Sequence, residues 1–239
     1  MQWRAATVVE TIPETVNAVT VRLEVPDWGG HRAGQHVDVR LTAENGYSAQ
    51  RSYAIASPPG ADLVDLTIVR HDQGEVSPYL TTVLDVGDQV ELRGPVGGYF
   101  AWDPADTGPA LLVGGGSGVV PLMAMLRHHR ATDHQGVMRL VYSARRPEDL
   151  LYRAELNELT DAHRTVTFTL TRVAPPEWTG RRGRVDGALL AEIGWPPALE
   201  PRSFVCGPTP FVEAAAAALV GLGHDSAHIR AERLGPTRG

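Results

Sequence analysis

An arginine, a serine and a tyrosine stand side by side in the stretch RSYAIAS at residues 51–57. Alternate side chains share a face of a β-strand, so Arg51 and Tyr53 point to one side and Ser52 to the other. A guanidinium binds phosphate oxygens well, and a phenol ring packs against flat groups. The pair therefore indicates a planar, negatively charged ligand, although an ordinary half-buried strand also accommodates these residues.

A glycine-rich turn forms a second candidate ligand site. The stretch LLVGGGSGVVPLMAML at 111–126 is an apolar strand, then a turn, then a helix-like segment; the turn holds Gly114, Gly115, Gly116, Ser117 and Gly118. Glycines let backbone N–H groups approach a phosphate, and a following helix N-terminus favours an anion. The turn is neither a Walker A loop nor the usual GxGxxG fingerprint. A tight turn without a ligand is the alternative.

Cations follow the next two predicted strands. In a parallel sheet that binds a dinucleotide, an acidic residue at the end of the second strand favours NAD, and an arginine favours the 2′-phosphate of NADP. Ser143, Arg145 and Arg146 occupy that position, so the sequence favours NADPH over NADH. Arg172, after the third strand, is a further candidate. A solvated basic turn is the alternative.

A cysteine, a glycine and a proline, Cys206, Gly207 and Pro208, follow the fourth strand of this half. Taken alone, they read as a small buried residue and a helix start.

Two kinds of hydrophobic spacing divide the chain into residues 1–103 and 104–239. The first part alternates with period two at 19–25, 35–41, 64–70 and 89–95, with turn signals between and one helical insert at 76–84. This pattern predicts a small antiparallel β-barrel. The second part alternates strands with helices; the predicted strands are 110–113, 138–144, 165–172 and 203–206, and the predicted helices are 119–129, 148–159, 186–193 and 208–223. Such βα units predict a parallel sheet with helices on both faces.

Composition limits the classes of function. The 239 residues carry a net charge of −6 without any run of lysine or arginine, which argues against nucleic acid as the partner. No apolar run is long enough for membrane insertion, and the N-terminus lacks a signal-peptide pattern. The single cysteine cannot form an intrachain disulfide or hold an iron–sulfur or thiolate zinc site. We expect no metal, and the reducing cytoplasm as the compartment.

The ordered motifs resemble those of one family. RSYAIAS, GEVSPYL, GGGSGVVPL, CGPTPF and a terminal AERLG are similar to motifs of the ferredoxin–NADP reductase superfamily, in its bacterial branch of flavin-dependent NAD(P)H oxidoreductases. The likeness covers nearly the whole chain. It implies a flavin-binding barrel at 1–103, a nucleotide-binding α/β domain at 104–239, FAD rather than FMN, and NADPH or NADH as substrate. It also implies a form without a fused iron–sulfur domain, because no four-cysteine segment is present.

The resemblance assigns roles residue by residue. Arg51 would pair with the flavin phosphates and Tyr53 would pack along the flavin. Ala54 stands where the family has a serine or threonine near flavin N5, which puts the rate of hydride transfer in doubt. The other flavin-binding positions are Ser52, Ile68, Val69, Arg70, Gly74, Val76 and Ser77. The nucleotide positions are Gly115, Gly116, Ser117, Gly118, Ser143, Arg145, Arg146, Arg172, Cys206, Gly207 and Pro208. Tyr53, Cys206 and Glu232 are the catalytic candidates, with Glu232 near the junction of the two rings.

The function implied by the resemblance is hydride transfer from NAD(P)H to bound FAD, then release of single electrons to a separate acceptor protein that carries iron–sulfur or haem. Two alternatives remain at this point. One is a flavin reductase that releases reduced free flavin, and the other is a nucleotide-binding electron-transfer subunit without turnover of its own.

Overall fold

Two six-stranded sheets build the protein, seen in a computed structural model that describes residues 2–235. The first sheet is antiparallel, and its strands are β1 (Arg4–Thr15), β2 (Ala18–Glu24), β3 (His36–Thr42), β4 (Ser48–Ala54), β5 (Val64–Val69) and β6 (Gln89–Val96). Their order is β4-β3-β6-β1-β2-β5. A bridge between Ile55 and Leu66 joins the two edge strands and closes the barrel.

Alternation along the strands explains the barrel. On β3, Val37 and Val39 are buried inside it, while His36 and Asp38 lie half-buried on the outer side. Helix α1 (Val76–Thr82) follows β5 at the place where the sequence predicts a helical insert. The predicted antiparallel barrel is confirmed.

The second sheet is parallel throughout. Its strands are β7 (Ala110–Gly115), β8 (Met138–Ala144), β9 (Arg164–Leu170), β10 (Arg181–Arg182), β11 (Arg202–Pro208) and β12 (Ile229–Leu234), in the order β10-β9-β8-β7-β11-β12. Four helices cover it: α2 (Val119–Ala131), α3 (Arg153–Glu158), α4 (Gly187–Ile193) and α5 (Thr209–Gly221). Leu112 and Leu140 pack on the α2 face, and Leu111 and Val113 on the face of α4 and α5. The predicted α/β half is therefore confirmed.

The strand order reverses between β7 and β11, because β8 to β10 extend to one side of β7 and β11 and β12 to the other. Ligands of parallel sheets bind in the crevice at the carboxyl ends of the strands at such a reversal. The glycine turn after β7 and the Cys206–Pro208 segment of β11 flank this position.

The predicted helix over 148–159 is wrong in its first half. The chain forms a 3₁₀ turn at Pro147–Asp149, and α3 begins only at Arg153. Tyr152 has φ 54°, in the left-handed region. The backbone N–H groups of Leu151 and Tyr152 donate instead to Tyr142 Oη and Glu14 Oε2. Tertiary hydrogen bonds therefore override the helical spacing of the leucines.

Among residues 2–235, no helix has the length and apolar character needed to span a membrane. Within the same residues, no three His, Cys, Asp or Glu side chains are grouped so that they could bind a metal ion.

Candidate functional site

A cavity of about 530 Å³ opens between the barrel and the parallel sheet. The barrel contributes side chains of β3, β4, β5 and the start of α1, and the other half contributes the start of α2 and the end of β12. Of the predicted site residues, Arg51, Ser52, Tyr53, Ala54, Val69, Gly74, Val76, Ser77, Ser117 and Glu232 line it. Residues far apart in the sequence thus meet at one cleft between the two halves.

Arg51 and Tyr53 share a wall of the cavity, as the strand geometry predicts. The Arg51 guanidinium donates to the Gln50 carbonyl at 2.7 Å, and within residues 2–235 it forms no ion pair with a carboxylate. Burial raises the pKa of the Tyr53 phenol above its usual value, and the nearby Arg51 charge opposes that shift. The wall therefore offers a cation without a protein counter-ion beside a neutral aromatic ring.

Ser52 points away from this pair, as expected. Its hydroxyl donates to Asp38 Oδ1 at 2.6 Å, and Arg93 donates to the other oxygen of the same carboxylate at 2.7 Å. These bonds tie β4 to β3 and β6 at the edge of the cavity.

The segment before α1 forms the far end of the cavity. The Gly74 N–H donates to the His71 carbonyl at 2.8 Å, so this group is already used within the loop. The Ser77 hydroxyl accepts from the His71 N–H at 3.0 Å. The first N–H groups of a helix, here at Val76 and Ser77, have no acceptor within the helix and remain able to bind a ligand oxygen.

The glycine turn after β7 is packed against other backbone. A Cβ at Gly118 would lie 2.2 Å from the Cys206 carbonyl oxygen, and a Cβ at Gly115 would lie 2.8 Å from the Phe211 ring. Gly116 has φ 55° and open space around it. Gly115 and Gly118 are therefore required by packing, whereas Gly116 is required by the shape of the turn.

The predicted 2′-phosphate residues lie together at the carboxyl edge of the parallel sheet, away from the walls of the cavity. Ser143 on β8 lies between Gly115 on β7 and Thr169 on β9. The Arg172 N–H donates to the Arg145 carbonyl at 3.0 Å, which places the turns after β8 and β9 next to each other. Arg146 Nη1 lies 3.8 Å from Glu148. Arg145 and Arg172 are exposed.

The side chains of Ile68, Arg70 and Cys206 also do not reach the cavity. Ile68 points into the barrel core. Arg70 donates to Asp72 and Asn17. The Cys206 thiol is fully buried, and burial, with a smaller contribution from Glu232, raises its pKa well above the usual value. Gly207 is buried too, whereas Pro208 is exposed at the end of β11. The roles of these residues remain predictions.

Glu232 and His36 face each other across the cavity, with 3.9 Å between Glu232 Oε1 and His36 Nδ1. Burial raises the pKa of the Glu232 carboxyl to about 6. Burial is also the main cause that lowers the His36 pKa, while Asp38 opposes it. Although the separation fits an ion pair, both shifts disfavour charge, so we describe the pair as a neutral imidazole beside a readily protonated carboxyl.

Glu232→Gln is expected to raise stability above about pH 6. The carboxyl pKa is higher folded (about 6) than its ordinary value of 4.5, so the wild-type protein loses stability as the pH rises through this window. The glutamine removes up to about 2 kcal/mol of this loss. Urea unfolding at several pH values should give the variant a higher free energy of unfolding than wild type at neutral pH and an equal one near pH 4. A matching change in Glu158→Gln, an exposed glutamate at the end of α3 that forms no ion pair among residues 2–235, would contradict this assignment.

Several residues of the cavity were missed by the sequence interpretation, among them His36, Asp38 and Thr67. His36 directly follows Gln35, whose side chain bridges the Arg32 N–H and the Gly97 carbonyl and so has a structural role. His36 also lies opposite Ala54 in the register of β3 and β4. The proximity of His36 to Ala54 follows from the pairing of β3 with β4 and not from their spacing in the sequence.

The two parts of the chain that line the cavity match two different families of known proteins. Residues 6–101 match the oxidoreductase FAD-binding domain family, and residues 112–217 match the oxidoreductase NAD-binding domain family. Ferredoxin–NADP reductase B of Sorangium cellulosum is 36% identical over 184 residues, which cover 73% of each chain. The chain belongs to the ferredoxin–NADP reductase superfamily. The glycine betaine monooxygenase reductase subunit of Chromohalobacter salexigens is 35% identical over 214 residues.

Superfamily membership also fits the fold. The FAD/NAD-binding domain of a Vibrio cholerae nitric oxide dioxygenase superposes with a TM-score of 0.87 at 23% identity, covering 98% of this chain and 99% of that one. The match to the betaine monooxygenase reductase subunit covers 86% of this chain but only 56% of that protein, so the chain spans about half the length of that relative.

The residues present in the cavity fit FAD. Arg51, which forms no ion pair among residues 2–235, suits a diphosphate, and Tyr53 presents a neutral ring to a flat heterocycle. A Cβ at Gly74 would lie 3.1 Å from the His71 carbonyl oxygen and 3.3 Å from Ser77 Oγ, so a side chain there would crowd the loop before α1. FAD and NADH or NADPH are therefore the cofactor and the nucleotide of this superfamily member.

Proposed function

We propose that this chain is an NAD(P)H-dependent flavoprotein reductase that takes hydride onto bound FAD and passes single electrons to a separate acceptor protein. The observation that carries the proposal is the shared cavity, in which Arg51 and Tyr53 of the FAD-binding segment face Ser117 and Glu232 of the other half. When bound, FAD supplies the hydride acceptor and can release its two electrons one at a time.

The chain's own residues bind and orient the two reactants. Arg51 neutralises the flavin phosphates, Tyr53 packs along the flavin, and the Val76 and Ser77 N–H groups assist at the phosphates. The Gly115–Gly118 turn and the Cys206–Pro208 segment hold the nucleotide at the reversal between β7 and β11. Glu232, with His36 beside it, can hold or release a proton at the cavity wall near neutral pH.

We also propose that the acceptor is a separate oxygenase or electron-carrier protein with an iron–sulfur or haem centre. The relative named as a monooxygenase reductase subunit supports this class of partner. The single buried cysteine supports a cytoplasmic location, which we propose as well. The division into an FAD-binding unit at 1–103 and a nucleotide-binding unit at 104–239 is part of the same proposal.

Turnover with a protein acceptor tests the proposal. The purified protein, reconstituted with FAD and freed of unbound flavin by gel filtration, should reduce cytochrome c through an added iron–sulfur protein when NADPH or NADH is supplied. The flavin should stay with the protein during turnover. Release of reduced flavin into the filtrate, with turnover only in the presence of added flavin, would instead support the flavin-reductase alternative.

Arg145→Ala is expected to weaken NADPH binding selectively. An exposed arginine that meets a 2′-phosphate contributes about 1.5–3 kcal/mol, so KM for NADPH should rise about tenfold or more while KM for NADH changes little. Steady-state kinetics with both nucleotides measures the ratio. Arg130→Ala, at the end of α2, is the control and should leave the ratio unchanged. An unaltered ratio in Arg145→Ala would remove the 2′-phosphate role.

A further inference from the structure

A chain of buried hydroxyls joins the two halves beside the cavity. The Tyr152 phenol bonds Thr67 Oγ1, Thr67 Oγ1 lies 2.7 Å from Thr20 Oγ1, and Thr20 Oγ1 lies 2.6 Å from Glu14 Oε1. Tyr152, Thr67 and Thr20 are only 4%, 5% and 2% exposed, so the two bonds that join these hydroxyls form away from water. Tyr152 belongs to the α/β half, and the other three residues belong to the barrel.

The donor and the acceptor of each of these three hydrogen bonds are fixed. A carboxylate oxygen only accepts, so Thr20 donates its one proton to Glu14. Thr67 must then donate to Thr20, and Tyr152 must donate to Thr67. Each hydroxyl donates once, and no other arrangement satisfies all the groups. Bonds aligned in this way strengthen one another inside a protein.

Tyr152 is held by the barrel through its backbone as well. Its N–H donates to Glu14 Oε2 at 3.3 Å, and its φ of 54° is unusual for an aromatic residue. Arg127 lies 5.1 Å from the centre of the Tyr152 ring and donates to the Ala56 carbonyl of the barrel at 2.8 Å. A residue in a strained backbone region persists only where its surroundings determine it, and here those surroundings come from both halves.

Two members of this arrangement, Thr67 and Tyr152, lie next to the proposed reaction. Thr67 lines the cavity that we assign to FAD. Tyr152 closes the loop that leaves β8 and carries Arg145 and Arg146, the proposed nucleotide cations. Transfer between two bound rings requires atoms about 3–3.5 Å apart, so a small shift of one half against the other slows the reaction strongly.

We propose that Tyr152 is a positioning residue for hydride transfer: through Thr67, Thr20 and Glu14 it fixes the nucleotide half against the flavin wall. This inference rests on the proposed reductase function. Tyr152 does not line the cavity and acts through Thr67.

Tyr152→Phe tests the proposal, because it removes only the hydroxyl and keeps the ring under Arg127. The limiting rate of FAD reduction by NADPH in a stopped-flow experiment should fall about tenfold, while Kd for FAD and for the nucleotide stays within about twofold. Tyr142→Phe is the matched control: Tyr142 is fully buried too, but its hydroxyl accepts from Leu151 within the same half. Tyr142→Phe should lower the free energy of unfolding and leave the rate of FAD reduction unchanged. Equal rates in the two variants would overturn the proposal.

A second pair of variants changes Thr20, on the other side of Thr67 from Tyr152. Thr20→Val deprives Thr67 of its acceptor and should slow flavin reduction in the same sense as Tyr152→Phe, whereas Thr20→Ser keeps a hydroxyl and should restore the rate to within about twofold of wild type. If Thr20→Val reduces flavin at the wild-type rate, the chain does not position the halves and the proposal fails.

Amide hydrogen exchange of the apoprotein gives a readout that does not require any reaction. Tyr152→Phe should speed exchange both in β5 around Thr67 and at Leu151–Arg153, whereas Tyr142→Phe should speed it only in the α/β half. Unchanged exchange in β5 of Tyr152→Phe would overturn the positioning role. Failure of either nucleotide to reduce FAD bound to the wild-type protein is a different result, and it would overturn the proposed function.

Discussion

Replacing Gly118 by alanine is expected to destabilise the α/β half severely and to abolish nucleotide binding. The added Cβ would lie 2.2 Å from the Cys206 carbonyl oxygen, 2.4 Å from its carbon and 2.6 Å from the Gly207 nitrogen. All three are backbone atoms at the end of a central strand, so no side-chain rotation relieves the contact. We expect a loss of about 3 kcal/mol or more in the free energy of unfolding.

Gly116→Ala is the matched control for this prediction. A Cβ there meets nothing within 4 Å, but the residue has φ 55°. The penalty is therefore conformational, about 1–2 kcal/mol, and the fold should survive. Urea unfolding of both variants, with NADPH binding measured by calorimetry, checks the difference. If Gly118→Ala unfolds at the same urea concentration as Gly116→Ala, the close approach of the turn to β11 is not the constraint that we describe.

Replacing Arg51 by alanine is expected to weaken FAD binding by about 10- to 100-fold. The guanidinium lies on the cavity wall and lacks a carboxylate partner within residues 2–235, so its charge is available to the phosphates. Charge-assisted hydrogen bonds of this kind contribute about 1.5–3 kcal/mol. The variant should also leave folding intact, because no internal ion pair is broken. Flavin retained after gel filtration and a Kd from fluorescence titration give the measurement.

Arg145→Ala is the control for flavin retention, since Arg145 is exposed at the other end of the proposed site. It should keep FAD at the wild-type level. Equal flavin loss in Arg51→Ala and Arg145→Ala would contradict the assignment of the two arginines to two different ligands.

Strands with strict alternation were predictable, and strands with irregular register were not. On β3 the inward Val37 and Val39 give a clean period of two. The first strand, β1, lacks that period because its pairing with β2 shifts between Val8 and Glu10 and again near Pro13. β12 was recognised only as a motif, since its burial pattern shows no alternation.

The candidate site was predictable where the residues concerned lie on one strand, because alternation along the strand tells which side chains share a face. Arg51 and Tyr53 share a face by strand geometry alone. The facing of His36 and Ala54 depends on the register of β3 with β4, and that of Tyr152 and Thr67 depends on how the two halves pack. Local spacing predicts neither neighbourhood. In addition, the helical spacing over 148–159 predicts a helix at Tyr152, where the structure has a turn.

The most direct test of this account is anaerobic titration of the FAD-loaded protein with NADPH and, separately, NADH. We predict that at least one of the nucleotides bleaches the yellow absorbance of the oxidised flavin, that about one equivalent suffices because hydride carries two electrons, and that the flavin remains bound throughout. A protein that holds FAD but keeps its full absorbance with excess of both nucleotides would contradict the claim that the shared cavity brings the two cofactors together for hydride transfer.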